Sequence, residues 1–195
     1  MPSPTFIVLI VFLINGLAIR IDVLLPQYTS LVLHWPLATV NRALALKALV
    51  SALMLFALPT ARKWYLEPCM STLQIDLFIT QVSLLTNTIG VIGLGFSAPA
   101  AFFVLALCVY TSGTGLADSL TAYGTFTLPP GEKVSEFYMR TGLINTIAAM
   151  IGAPVWSGVF SLVLKSGFLP LGLPFWMCAA LFGAGIGGAM ALKSG

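Results

Sequence analysis

Along the chain, apolar runs long enough to cross a bilayer alternate with short breaks marked by proline, glycine and charge. A membrane-spanning helix needs ~20 mostly apolar residues. Six runs meet that length. The first extends from about Thr5 to Leu31, interrupted by Arg20, Asp22 and Pro26, and the second from about Leu37 to Leu58, ended by Pro59. The third, about Leu73 to Phe96, follows the loop TARKWYLEPCMST. The fourth, about Ala100 to Phe126, follows the short turn FSAP. The connection TLPPGEKVSE leads to the fifth, about Phe137 to Leu164, and the sixth runs from about Leu171 to Leu192. The pattern predicts an all-α membrane protein, a single six-helix transmembrane domain over residues 1–195.

Within these runs the polar residues are not scattered. Asp76, Thr80, Ser83, Asn87 and Gly90 recur every three or four residues, which places them on one helical stripe. Thr111, Thr114, Asp118, Thr121 and Thr125 repeat the pattern in the fourth run, as do Thr141, Asn145, Ala148 and Gly152 in the fifth. Polar groups find no partners in hydrocarbon, so such stripes face other helices or a wet cavity. Both readings stay open for the Ser, Thr, Asn and Gly positions. Gly183 and Gly187 in GAGIGG form a GxxxG pair and are read as a helix-packing face.

Composition agrees with a membrane chain. Hydrophobic residues make up 58% and charged residues 8%, against about 25% charged in soluble domains. The mean hydropathy is +1.00. The net charge of +3 is thinly spread, so no basic patch suggests nucleic acid. No Lys or Arg precedes the first run, whereas a secretory signal carries a charged leading segment; Thr5–Ala18 is therefore read as membrane helix. Arg62, Lys63, Lys133, Arg140 and Lys193 fall on the side of the two termini, against Arg42 and Lys165 on the other. The positive-inside rule then puts both termini in the cytoplasm, with plasma and vacuolar membranes not distinguished.

The charges inside the runs carry the candidate chemistry. Each costs about 2.5–3.5 kcal/mol at a helix centre on the insertion scale and so marks a functional hypothesis. Arg20 and Asp22 lie two apart, on opposite faces of a regular helix, and each needs a partner elsewhere. Lys47 has Ser51 one turn on but no counter-ion in its own run. Two readings compete for Arg20, Asp22, Lys47 and Asp118. One is buried ion pairs that fix packing, with Asp118 balancing Lys47 or Arg20; the other is a substrate or proton path. Arg42 and Arg140 are read as reaching for an interface, and Glu132 and Lys133 as solvated.

Other chemistry is sparse. Cys69, Cys108 and Cys178 have no metal-like spacing, and Cys108 and Cys178 read as packing residues. The lone histidine, His34, sits beside Trp35 and Pro36 at a run end, an interfacial position. No HExxH, CxxC or GxSxG is present, so no enzyme, metal site or cofactor is expected.

Several segments resemble the C-terminal half, spans seven to twelve, of fungal major facilitator superfamily transporters. LLPQYTSLVLHWPLATVNRALALKA resembles that family's seventh span, exposed turn and eighth span, leading to a basic residue, here Lys47. SGTGLADSLTAYGT is similar to its tenth span, FYMRTGLINTIAAMIGAPVWSGVFS to its eleventh, and LGLPFWMCAALFGAG to the start of its twelfth. The likeness covers roughly residues 15–190.

The resemblance implies a secondary transporter, proton-coupled or facilitative, moving a small molecule by alternating access, with two inverted three-helix repeats in each six-helix half. It makes Arg20, Asp22 and Asp118 cavity residues, with Lys47 beside them; the polar stripes add Asn87 and Asn145. Pro26, Gly90, Gly152 and Pro154 become helix-break or packing positions, Pro154 supplying a break for gating. Met1 stands directly before the first run, and an N-terminal half is lacking, as expected of a truncated transporter that is inactive unless a second six-helix half or a second copy completes it. The alternative is a membrane assembly protein without a transport cycle.

Overall fold

The computed structural model describes residues 4–96 and 99–192; Lys193 and the Ser97–Ala98 part of the FSAP turn lie outside them. Helices are the only regular elements among the described residues, with no strands. Six helices are long and apolar enough to cross a membrane: α1 (Pro4–Leu31), α2 (Leu37–Leu66), α3 (Thr72–Gly95), α4 (Ala100–Phe126), α5 (Val134–Ser166) and α6 (Leu173–Ala191).

Their ends follow local chemistry. Ser71 caps α3 in a reciprocal box: its hydroxyl accepts from the Gln74 N–H at 3.4 Å, and the Gln74 side chain accepts from the Ser71 N–H at 3.2 Å. Pro36 and Pro99 stand in extended conformation just before α2 and α4, where a missing N–H costs nothing. Gly167, at φ 67°, ends α5 in the left-handed conformation that glycine adopts without strain.

Two prolines expected to interrupt helices do not. α2 continues past Pro59 and adds a wide π turn over Arg62–Leu66, so most of the anticipated loop is helix. α5 runs unbroken from Val134 to Ser166 with Pro154 inside it, so the break anticipated there is absent. A proline removes one backbone hydrogen bond, and a long helix tolerates that when its other turns hold.

α3 packs mainly on α4 and α6, and α1 on α5 and α6, while α2 leans on α4. The partners of α1, namely α5 and α6, thus correspond to those of α4, namely α2 and α3, when the first three helices are exchanged for the last three. At one end, Tyr28 of α1 ties four helices together: its ring lies 6.0 Å from Phe103 of α4, 6.4 Å from Phe160 of α5 and 4.8 Å from Phe175 of α6. Close backbone approach needs small residues. A Cβ on Gly90 of α3 would fall 2.3 Å from the Tyr110 backbone nitrogen of α4.

The glycines of α6 divide differently from the sequence expectation. Gly183 and Gly187 have open space beside them, whereas a Cβ on Gly185 would meet Leu84 at 3.1 Å and one on Gly188 would meet Val11 at 2.8 Å. The contact face within this chain is therefore the Gly185/Gly188 side, because that side turns toward α1 and α3.

Candidate functional site

α1 and α4 each tighten into a 3-10 turn near the middle without interruption of the helix. In α1 the α-helical winding gives way after Ile19 to a 3-10 turn over Arg20–Val23 and resumes at Leu24. Pro26 explains the turn: it has no N–H to offer the carbonyl four residues earlier, that of Asp22, and its ring crowds that carbonyl. The Asp22 carbonyl accepts instead from the Leu24 N–H. In α4 the turn is Gly113–Gly115, whose two glycines weaken the helix. Gly113 also admits Asn87 of α3: a Cβ there would stand 2.1 Å from Asn87 Oδ1. The Asn87 amide donates to the Gly113 carbonyl at 3.5 Å.

Both turns border one cleft of about 210 Å³, lined by Asn15 and Asp22 from α1, Lys47 from α2, Asn87 from α3, and Tyr110 and Thr114 from α4. Lys47 donates from Nζ to Asp22 Oδ2, forming an ion pair across the cleft. Neither partner is sealed, with 22% of the Lys47 side chain and 32% of Asp22 accessible. The ammonium also lies 5.5 Å from the centre of the Tyr110 ring, within cation–π range.

The cleft holds unspent hydrogen-bonding capacity. Asn15 Oδ1 and Thr114 Oγ1 are buried without a protein partner, and the Tyr110 hydroxyl faces the Asp22 carboxylate within hydrogen-bonding reach. Thr111, by contrast, spends its hydroxyl on the Leu107 carbonyl at 2.7 Å. Buried polar atoms are normally paired, so Asn15 Oδ1 and Thr114 Oγ1 are free to bond water or a ligand in the cleft.

The remaining candidates go elsewhere. Arg20 points away from Asp22, as their spacing predicts, and donates to Asn145 Oδ1 of α5 at 3.4 Å. Gly152 clears its path, since a Cβ there would come within 2.9 Å of Arg20 Cγ. Beside them Trp156 Nε1 donates to the Leu17 carbonyl at 2.8 Å, fastening α5 to α1. Asp118 lies in a separate cleft of about 300 Å³ with Arg62, Pro59 and Ser119. It balances neither Lys47 nor Arg20: the counter-ion of Lys47 is Asp22. One helical turn separates Asp118 from Thr114, and that turn carries it past the rim of the central cleft.

Three pairings escape sequence reading. Asp76, fully buried on α3, accepts from Arg62 Nη1 at 2.6 Å, and the same guanidinium lies 3.9 Å from Glu67. Arg140, read as reaching for an interface, pairs with Glu132, read as solvated. Asn15 and Tyr110 enter the cleft from apolar surroundings. Tyr110 lies four residues before Thr114, one turn along the polar face, and that spacing is the signal for it.

Cys178 is buried and donates weakly from Sγ to the Ala18 carbonyl at 3.2 Å, a packing position. Among the described residues no three His, Cys, Asp or Glu side chains group to hold a metal ion. The chain matches no protein-family model, no curated protein and no solved structure.

Proposed function

We propose that this chain is one six-helix half of a secondary transporter of the major facilitator type, moving a small molecule across a membrane by alternating access through the cleft between α1 and α4. The observation that carries the reading is the meeting of two mid-helix 3-10 turns, Arg20–Val23 and Gly113–Gly115, at one polar cleft that holds an intramembrane ion pair. Transporters place substrate and ion sites near the bilayer midplane, where the helices that form them depart from regular winding. The exchange of neighbours between α1–α3 and α4–α6 supports two three-helix units of opposite direction, because three crossings reverse the sense of the chain.

Asp22 and Lys47 are the moving parts of the mechanism. Protonating Asp22 would remove the charge that holds Lys47, freeing α2 from α1 and coupling a proton to the change of access. Arg20 and Asn145 link α1 to α5 and transmit that movement; both termini lie on the cytoplasmic side.

The cleft needs a second wall. In its most apolar stretch α2 is 6% buried and α5 28%, against 56% for α3, and the uncovered residues of α2 and α5 include Asn41, Arg42, Asn145 and Thr146. Polar groups are costly against lipid, which favours a second six-helix unit over these helices, either a second copy or a separate half.

Proteoliposomes carrying the chain test this directly. Uptake of labelled small solutes should exceed that of protein-free vesicles, respond to an imposed pH gradient, and fall at least tenfold with Asp22→Asn. Flux equal to protein-free vesicles from chains shown by cross-linking to be paired as two six-helix units would remove the transport reading and favour an assembly role.

A further inference from the structure

The polar atoms of the central cleft select a ligand class. We infer that the cleft takes a small uncharged molecule bearing several hydroxyl groups, a polyol, and discriminates against anions and cations of the same size. The inference names the substrate class of the transport site proposed above and rests on that reading for its physiological meaning, though not for its chemistry.

The charge balance comes first. Lys47 and Asp22 neutralise each other at contact distance, so the cleft offers no net charge. An anion approaching Lys47 meets the Asp22 carboxylate already paired with it, in a cleft that Asn15 Oδ1 also lines with an acceptor. A cation approaching Asp22 competes with an ammonium already seated against the carboxylate and the Tyr110 ring. Either ligand must break the pair and leave one charge unbalanced, and a partly buried charge without its partner is strongly disfavoured.

A polyol needs no such exchange. Its hydroxyls can donate to Asn15 Oδ1, which has no protein partner, and to the Asp22 carboxylate, which two lone pairs per oxygen leave able to accept again. They can exchange hydrogen bonds with Tyr110 and Thr114, whose hydroxyls both donate and accept. Their own oxygens can accept from the Lys47 N–H groups not used by Asp22. Asn15 and Tyr110 are more than nine-tenths buried, so their alignment is held by packing. A lipophilic molecule in the cleft would leave Asn15 Oδ1 and Thr114 Oγ1 unpaired, which sites built for hydrogen bonding penalise heavily.

Three ligands sharing a six-carbon skeleton isolate the charge: sorbitol, gluconate and glucamine. Calorimetric titration of the full chain in lipid nanodiscs should show sorbitol binding at least tenfold more tightly than either charged analogue. Thr114→Val should weaken sorbitol about fivefold, which at about 1 kcal/mol is one hydrogen bond, and Thr114→Ser should restore it. Circular dichroism on each variant confirms that the helices are retained. Gluconate or glucamine binding as tightly as sorbitol, or no sorbitol binding by folded protein, would overturn the inference. Flux through proteoliposomes separates the two proposals: sorbitol binding without flux removes transport alone, and gluconate flux without sorbitol binding removes the polyol assignment alone.

Discussion

Arg62, in the π turn that ends α2, places Nη1 2.6 Å from Oδ1 of Asp76 near the start of α3, and the Asp76 side chain is wholly buried. The contact bolts two consecutive helices together. The other carboxylate oxygen of Asp76 is buried without a partner, so the charge depends on this one guanidinium. Removing one member of such a pair costs about 3–5 kcal/mol because the other is left uncompensated. Arg62→Ala should therefore lower the midpoint of thermal unfolding in detergent markedly. Adding Asp76→Asn to Arg62→Ala should recover much of the loss, because the orphaned charge goes with it. Equal damage from the single and double variants would mean that the arginine acts by packing instead.

The Asp22–Lys47 pair makes a different forecast, since both groups remain partly accessible. Lys47→Met should reduce flux at least tenfold while shifting the unfolding midpoint less than Arg62→Ala does. The exchange Asp22→Lys with Lys47→Asp should preserve assembly and restore part of the flux. If the exchanged pair folds but transports no better than Lys47→Met, the orientation of the pair at the α1 turn matters, not merely its presence.

Glycine positions provide a matched comparison. A Cβ at Gly90 would meet the Tyr110 backbone, which cannot swing aside, whereas one at Gly183 meets nothing. Overpacking of this kind costs about 1–3 kcal/mol. Gly90→Ala should lower the unfolding midpoint, and Gly183→Ala should leave it unchanged or raise it slightly. A loss at Gly183 that appears only above a threshold protein concentration would reveal a contact with another chain.

Pro26 offers a test of the turn itself. Pro26→Ala returns the missing N–H to the Asp22 carbonyl and favours regular helix. Stability should hold or rise. Flux should fall, because a straightened α1 would carry the Asp22 carboxylate away from Lys47. Measuring uptake and the unfolding midpoint on the same preparation distinguishes this from general damage.

The outer pair, Glu132 with Arg140, should matter little. Arg140 is 48% exposed, and exposed ion pairs are worth at most about 1 kcal/mol. Glu132→Gln should leave the unfolding midpoint within a few degrees of the unaltered chain.

Much of the architecture was legible from hydropathy. The need for ~20 apolar residues to cross a bilayer is a one-dimensional constraint, and α1, α3, α4, α5 and α6 lie close to the runs that satisfy it. The end of α2 was not legible, because whether a helix survives a proline depends on the turns around it, as at Pro59 and Pro154. The candidate residues were legible as a set, since an ionisable group in an apolar run needs a reason to be there. Their grouping was not. Arg20, Asp22 and Asp118 look alike along the chain, yet they occupy three different places in the fold.

Residue order thus dictated six apolar helices, the polar stripes on three of them, and the requirement that each intramembrane charge find a partner. Those properties follow from periodicity and desolvation, which act within one helix. The choice of partners came from packing across helices: Lys47 for Asp22 and not Asp118, Asn145 for Arg20, Gly185 and Gly188 against their neighbours in place of Gly183 and Gly187. Helix rotation sets such choices. A shift of one residue turns a side chain by about 100°, and what holds each rotation in place is a contact such as Gly90 against Tyr110, between residues far apart in sequence.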